Sequence, residues 1–347
     1  MRGLSFTAVD FETANGFRGS PCSIGLVRIR DGIETDTHYT LLRPPAGFDR
    51  FDPRNESIHG ITPEAAAEAP RFGEAFAEIA AFIGEDILVA HNVIFDLEVF
   101  ESALEVSGLG SPGLSGLCSV RLARAVYQLP SHALPKAAAE AGFQLQHHHH
   151  ALWDARAAAA IVVDIARRRQ TPELHELFGA ASIDPEVLAH WAAPRPRESR
   201  ATRQVRAYGD LFDAAVPLGD RELPDLMRWQ EEGRNLPANP EADPAHPFCG
   251  QQVSFTGNLV IPRGEAKQLV AACGGTTSSR VTGSTSMLVI GDGYDDADLA
   301  AQHDPQGPLG SNKAEDALRR RAVGQQIRLV SEQGFRTLAG DAWPYAA

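Results

Sequence analysis

Two carboxylates one residue apart close the apolar run Phe6 to Glu12, FTAVDFE, near the start of this 347-residue chain. Side chains alternate across an extended strand, so Asp10 and Glu12 project together while Val9 and Phe11 turn into the opposite layer. Like charges held this close repel unless a proton or a cation sits between them, and a hard divalent ion with oxygen ligands suits the gap. Exposed strand faces also carry paired acids without an ion, so the pair alone leaves both readings open. Asp96, in HNVIFD, falls in the first turn of a helix that follows a buried strand. Asp154, in HHALWD, falls near the start of a long helix, with His149 just before it. An acid in a first helical turn also complements the helix dipole, which gives Asp96 and Asp154 a plain structural reading beside the chemical one. Four neighbouring imidazoles cannot converge on one ion, which argues against a zinc site made of the run His147 to His150. His147, His148 and His150 are read as loop surface.

The elements that must hold these residues are legible in the pattern. CSIGLVRIR and IETDTHYTL read as strands joined at Asp31-Gly32, so three antiparallel strands open the chain. Residues 49–62 read as loop, Pro63 as the start of a short helix, and 72–83 as a helix ending at Gly84. DILVAHN is a buried strand and VIFDLEVFESALEVSGL a helix closed by Gly108; LCSV, RLARAVYQL and LPKAAAEAG repeat the alternation before the Ala-rich helix 151–169. Three antiparallel strands followed by alternating strands and helices predict an α/β fold with a mixed sheet covered on its faces.

The net charge of −13 argues against a polycation that coats nucleic acid, while phosphate contacts can still be concentrated in small basic patches. Cys22, Cys118, Cys249 and Cys273 are widely spaced, which indicates neither a disulfide framework nor a zinc site. A reduced, cytoplasmic setting is the expectation. The opening residues run straight into a strand, and no apolar run approaches spanning length, so neither a signal peptide nor a membrane contact is predicted.

Taken together, D-x-E at the first strand, H-N-x-x-F-D in the middle and H-x-A-x-x-D near the end, with NESIHGIT and LVAHN between them, resemble the DnaQ-like, or DEDDh, 3′–5′ exonucleases of the DNA polymerase III epsilon-subunit family. The resemblance covers residues 4–168 and implies a ribonuclease H-like fold for a domain at 1–170. Carried over by position, it implies that Asp10, Glu12, Asp96 and Asp154 hold two Mg²⁺ or Mn²⁺ ions and that His149 is the general base. Such a pair of ions serves phosphodiester hydrolysis from a 3′ end with release of nucleoside 5′-monophosphates. DNA 3′ ends are the implied substrate, in repair or replication proofreading, with association with a DNA polymerase. An RNA-directed exoribonuclease and a recruitment protein with an inactive nuclease fold are the alternatives. Ala14-Asn15 stands where many members have Thr-Gly, a change expected to alter the terminal-nucleotide pocket.

Residues 171–245 read as a linker with short helices, one at DPEVLAHW and one at LPDLMRWQEEGRN. Its run PRPRESRATRQVR, with Arg195, Arg197, Arg200, Arg203 and Arg206, is either a solvated linker or a basic arm on a nucleic-acid backbone. From 246 to 347 strands and helices alternate again, which predicts a small parallel sheet. Its F-T-G, R-G-E-A, C-G-G and S-N-K segments resemble the BRCT domain of NAD-dependent DNA ligases and replication factor C large subunits. That resemblance implies phosphate binding at Thr256, Gly257, Arg263 and Lys313, toward a phosphorylated DNA end or a phosphopeptide. Its closing helix lacks the Trp of other BRCT domains, which makes tandem phosphopeptide readers a poorer comparison.

Overall fold

In the computed structural model the alternation around Asp10 becomes β1 (Phe6–Thr13), an interior strand of a six-stranded mixed sheet. The structure describes residues 3–206, 208–217, 223, 226, 230–300 and 311–344. By its contacts the chain divides into two units, residues 1–202 with 210–223 and residues 203–209 with 224–347.

In the first unit β2 (Pro21–Arg30) and β3 (Ile33–Leu41) form the predicted hairpin. Both turn residues have positive φ, 51° at Asp31 and 73° at Gly32, which suits a type I′ turn. Three helices follow, α1 (Pro53–His59), α2 (Pro63–Ala66) and α3 (Phe72–Ile83). Then come β4 (Leu88–Ala90), α4 (Val93–Val106), β5 (Leu114–Cys118), α5 (Ser119–Val126), α6 (Leu134–Glu140) and α7 (Ala151–Arg169). α8 (Leu174–Gly179) and β6 (Glu186–Leu188) come next, and the division between the two units falls within α9 (Arg200–Arg206). The sheet order is β3-β2-β1-β4-β5-β6, with β1, β4 and β5 parallel and the others antiparallel to their neighbours.

Alternation along β1 separates two cores. Phe6 and Ala8 pack with Ile161, Ile165 and Phe178 on the α7 side, while Val9 and Phe11 pack with Phe72 and Phe100 on the α3 and α4 side. Asp10 and Glu12 continue the even-numbered face and so point to the α7 side. This unit is thus a mixed α/β sheet with a core on each face, the architecture expected of a ribonuclease H-like fold.

Three sequence expectations need correction here. Residues 53–59 are helical and not loop, because the Asp52 side chain accepts from Arg54 N, Pro53 fills the first turn and Gly60 ends it at φ 72°. DPEVLAHW forms β6 and not a helix, since three residues suffice to pair antiparallel with β5 at the sheet edge. Arg195, from the run read as a solvated linker or a basic arm, is partly buried and ion-paired with Glu101 at 2.7 Å and with Glu105. The helix expected at LPDLMRWQEEGRN falls partly outside the described residues, and its described residues, 223, 226 and 230–235, are not helical.

The second unit holds a four-stranded, all-parallel sheet in the order β10-β9-β7-β8. Its elements are β7 (Gln252–Thr256), α10 (Arg263–Ala272), β8 (Thr276–Ser278), β9 (Met287–Ile290), α11 (Asp296–Ala300), α12 (Asn312–Ala322), β10 (Arg328–Ser331) and α13 (Glu332–Ala339). Phe248, Phe255 and Phe335 centre its core. Among the described residues no helix is long and apolar enough to cross a membrane.

Candidate active site

Asp10 stands opposite Gly25 in the β1–β2 register. A Cβ on Gly25 would lie 2.3 Å from the Leu152 nitrogen and 2.5 Å from the Ala151 carbonyl oxygen, so only glycine admits the first turn of α7 against the strand. That approach delivers Asp154: one oxygen from each of Asp10, Glu12 and Asp154 lies within 4.8 Å of the others. Asp96 arrives from the first turn of α4, buried to 3% exposure. Its Oδ1 is buried with no hydrogen-bond partner.

The carboxylates destabilise one another's charge. Burial first, then Asp96, Glu12 and Asp154, hold the Asp10 carboxyl well above the usual range. Burial and the charges of Asp154 and Asp96 push Glu12 up to about 9, and burial pushes Asp96 to about 8 against backbone amides and Arg18. Asp154 is raised by burial, while His148 and the His149 amide pull it back. Four acids that resist ionisation, one with an orphaned oxygen, form a donor set that fits hard divalent cations.

The histidine run is tied to this cluster. The His149 backbone N–H donates to Asp154 Oδ2 at 2.9 Å, and His149 has a left-handed φ of 66°. His148, read from sequence as loop surface, places Nδ1 3.0 Å from Asp154 Oδ2 and stacks on the His149 ring at 3.8 Å between centroids. His147 packs edge-on against Trp153, and His150 stacks on Tyr39. His149 is held below the ordinary imidazole range by burial and by His148.

α1 closes the end of β1. Asn55 Nδ2 donates to the Thr13 carbonyl at 2.8 Å, and His59 Nε2 lies 3.3 Å from the same oxygen. Because Ile61 N donates to His59 Nδ1, Nε2 carries the imidazole proton. Asn15 is fully buried and donates to the Phe48 and Arg50 carbonyls, so Ala14-Asn15 shapes the loops beyond Glu12 and contributes no acid. Gly25, Asn55 and His59 were missed as site-forming residues. Only NESIHGIT carried a signal, and a glycine within a strand has none until the helix over it is placed.

In the second unit the anion-site candidates meet at the end of β7. Thr256 Oγ1 donates to Ser311 Oγ at 2.7 Å, Arg263 Nη2 donates to the Gly257 carbonyl at 2.7 Å, and Lys313 Nζ donates to the Phe255 carbonyl at 2.9 Å. Gly257 has φ 74°, and a Cβ there would meet the Asp292 carboxylate at 2.6 Å. Glu232, which sequence reasoning passed over, is ion-paired with Arg263 at 2.9 Å and with Lys313.

Comparison with known proteins places these findings. Residues 7–162 match the exonuclease family. The DNA polymerase III epsilon subunit of Aquifex aeolicus is 30% identical over 166 residues, 46% of this chain and 80% of that protein. The PolC-type DNA polymerase III of Thermotoga petrophila is 31% identical over 166 residues, 46% of this chain and 12% of that protein. This chain thus covers only 10 to 12% of the length of the PolC-type relatives from Thermotoga and Staphylococcus saprophyticus. Among solved structures, exonuclease X in complex with 5′-overhanging duplex DNA aligns at 25% identity and a TM-score of 0.41, covering 51% of this chain and 98% of that one.

Proposed function

The chain belongs to the exonuclease family through residues 7–162, and from that premise we propose that it is a metal-dependent 3′–5′ exonuclease releasing nucleoside 5′-monophosphates from DNA. The observation that carries the reading is the meeting of Asp10, Glu12 and Asp154 within 4.8 Å beside the partnerless Asp96 Oδ1. These four residues would hold two Mg²⁺ or Mn²⁺ ions, which when bound neutralise charge at the phosphodiester and lower the pKa of the attacking water. His149 accepts the proton of that water, and its lowered proton affinity keeps the ring neutral and ready to do so near pH 7. The intact acid set argues against an inactive, recruitment-only fold.

Similarity to DNA polymerase III subunits supports DNA over RNA, a role in replication proofreading or repair, and association with a polymerase. The residues themselves read the phosphodiester and not the sugar. Turnover on matched DNA and RNA oligonucleotides with Mg²⁺ tests both points: wild-type protein should release mononucleotides from DNA faster, and Asp154→Asn should release none. Equal rates for wild type and Asp154→Asn would sink the proposal.

For residues 246–347 the reading is a BRCT module that positions the enzyme on a phosphorylated DNA end. The all-parallel sheet and the convergence of Thr256, Arg263 and Lys313 at the end of β7 support it. A hydroxyl, the Gly257 amide and two cations suit a phosphate. Preferential binding of a 5′-phosphorylated over an unphosphorylated duplex, lost in Lys313→Ala, is the test; preference for a phosphopeptide would move the module to partner recruitment.

A further inference from the structure

The anion site of the second unit already contains an anion of its own. Glu232 Oε2 accepts from Arg263 Nη1 at 2.9 Å and from Lys313 Nζ, and Oε1 lies 3.1 Å from Lys267 Nζ. Lys267 is fully buried, Arg263 is 5% exposed, and Arg263 Nε is buried with no acceptor. Three cations thus share one carboxylate. Burial, together with repulsion from Arg263 and Lys267, holds the Lys313 ammonium below the usual lysine range even with Glu232 beside it.

The segment carrying Glu232 is pinned on both sides. Before it, Gln230 N donates to Asn258 Oδ1 at 3.1 Å and Gln230 Nε2 to the Leu259 carbonyl at 2.6 Å. After it, Lys267 Nζ donates to Asn235 Oδ1 at 3.0 Å, and Leu236 N donates to Thr277 Oγ1 at 2.8 Å. The chain therefore presents a carboxylate where the cations converge.

We propose that Glu232 is a built-in competitor for this pocket, and that the pocket accepts a terminal phosphate monoester of a DNA 5′ end by exchange for the Glu232 carboxylate. This rests on the reading of Thr256, Gly257, Arg263 and Lys313 as a phosphate site. Charge selects the ligand. An internal phosphodiester carries one negative charge, as Glu232 does, so the exchange gains nothing. A monoester carries about −1.5 to −2 near pH 7 and three acceptor oxygens, which offset the excess of cations and offer Arg263 Nε an acceptor. Glu232 thereby makes the site specific for ends.

The test is titration of the full chain in EDTA, where 3′ ends stay intact, with a 5′-phosphorylated duplex, the same duplex with a 5′-hydroxyl, and a phosphoserine peptide. Glu232→Gln should tighten binding of the phosphorylated duplex by about tenfold, the scale of losing one charge-assisted competitor, and should also raise binding of the hydroxyl duplex, because no carboxylate is left to exclude an internal phosphodiester. Glu232→Asp, with a shorter reach, should fall between the two, which keeps the test open if the glutamine variant folds poorly. If wild type prefers the phosphorylated duplex, Lys313→Ala abolishes that preference, and neither Glu232 variant binds more tightly, the competitor is overturned and the phosphate site stands. If neither wild type nor Glu232→Gln prefers the phosphorylated duplex, the phosphate site itself falls. Tighter binding of the peptide than of DNA by Glu232→Gln would overturn the DNA-end assignment.

Discussion

Asp96 sets stability against chemistry. It is buried, its Oδ1 has no partner, and burial raises it to about 8, so in the metal-free protein the site carries an acid that would be more stable neutral. Asp96→Asn keeps the shape and removes the charge. It should raise metal-free stability by about 1–2 kcal/mol, the usual scale of relieving a strained functional group, while abolishing mononucleotide release. Chemical denaturation in EDTA checks the first half, and a destabilised variant would contradict the electrostatic account. The neighbouring question is which histidine acts. His149→Ala should slow turnover by about a hundredfold or more, the scale of a positioned general base, with partial recovery at higher pH. His148 touches Asp154 directly, so His148→Ala should disturb metal affinity more than rate at saturating metal. If His148→Ala instead gave the large loss in rate at saturating Mg²⁺, the base would be one position earlier.

At the scale of elements, the site depends on how closely α7 approaches the strands. Gly25→Ala would place a methyl group within van der Waals overlap of the Ala151–Leu152 peptide, and the helix must move to admit it. Overpacking of this kind costs about 1–3 kcal/mol, and the displaced Asp154 should cut turnover at least about tenfold. Normal kinetics in Gly25→Ala would show that the helix start is looser than its packing implies. The sequence disclosed β1, the hairpin, α4 and α7 because alternation, Asp31-Gly32 and an Ala-rich run each carry a local signal. β6 and β8 have three residues each, too short for any period, and their pairing comes from tertiary neighbours. α1 was missed although Asp52, Pro53 and Gly60 mark both its ends, since its single buried residue, Asn55, gives no apolar stripe. The four acids were singled out by spacing and resemblance together. Glu232 could not be found, because an acid in a segment read as a linker helix carries no mark of the cations that await it.

Across the whole molecule, protons and metal should act differently on the two units. In the first, Glu12 at about 9 and Asp96 at about 8 are raised in the folded state, so the folded protein binds the extra protons. Their contribution is full below the unfolded carboxylate range and is lost as pH rises toward 9. His91 works the other way. Its Nδ1 contacts Ser119 and its Nε2 the His132 carbonyl, and burial lowers it to about 4, so its contribution is lost as pH falls from about 6.5 to 4, by about 3 kcal/mol at most. In the second unit burial pushes Glu332, which accepts from the Val260 amide, to about 8, and its contribution is also lost as pH rises through that value. Divalent cations would separate these cases, because ions held by Asp10, Glu12, Asp96 and Asp154 would favour the charged carboxylates of the first unit and add about 2.7 kcal/mol at a hundredfold excess over Kd. Hydrogen exchange resolved along the chain should therefore show protection of β1, α4 and α7 weakening from pH 6.5 to 9 in EDTA and returning with Mg²⁺ or Mn²⁺. Protection of β10 and α13 should weaken over the same range with or without the ions. Metal-dependent recovery in β10 and α13, or its absence in β1 and α7, would contradict the assignment of the metal site to Asp10, Glu12, Asp96 and Asp154.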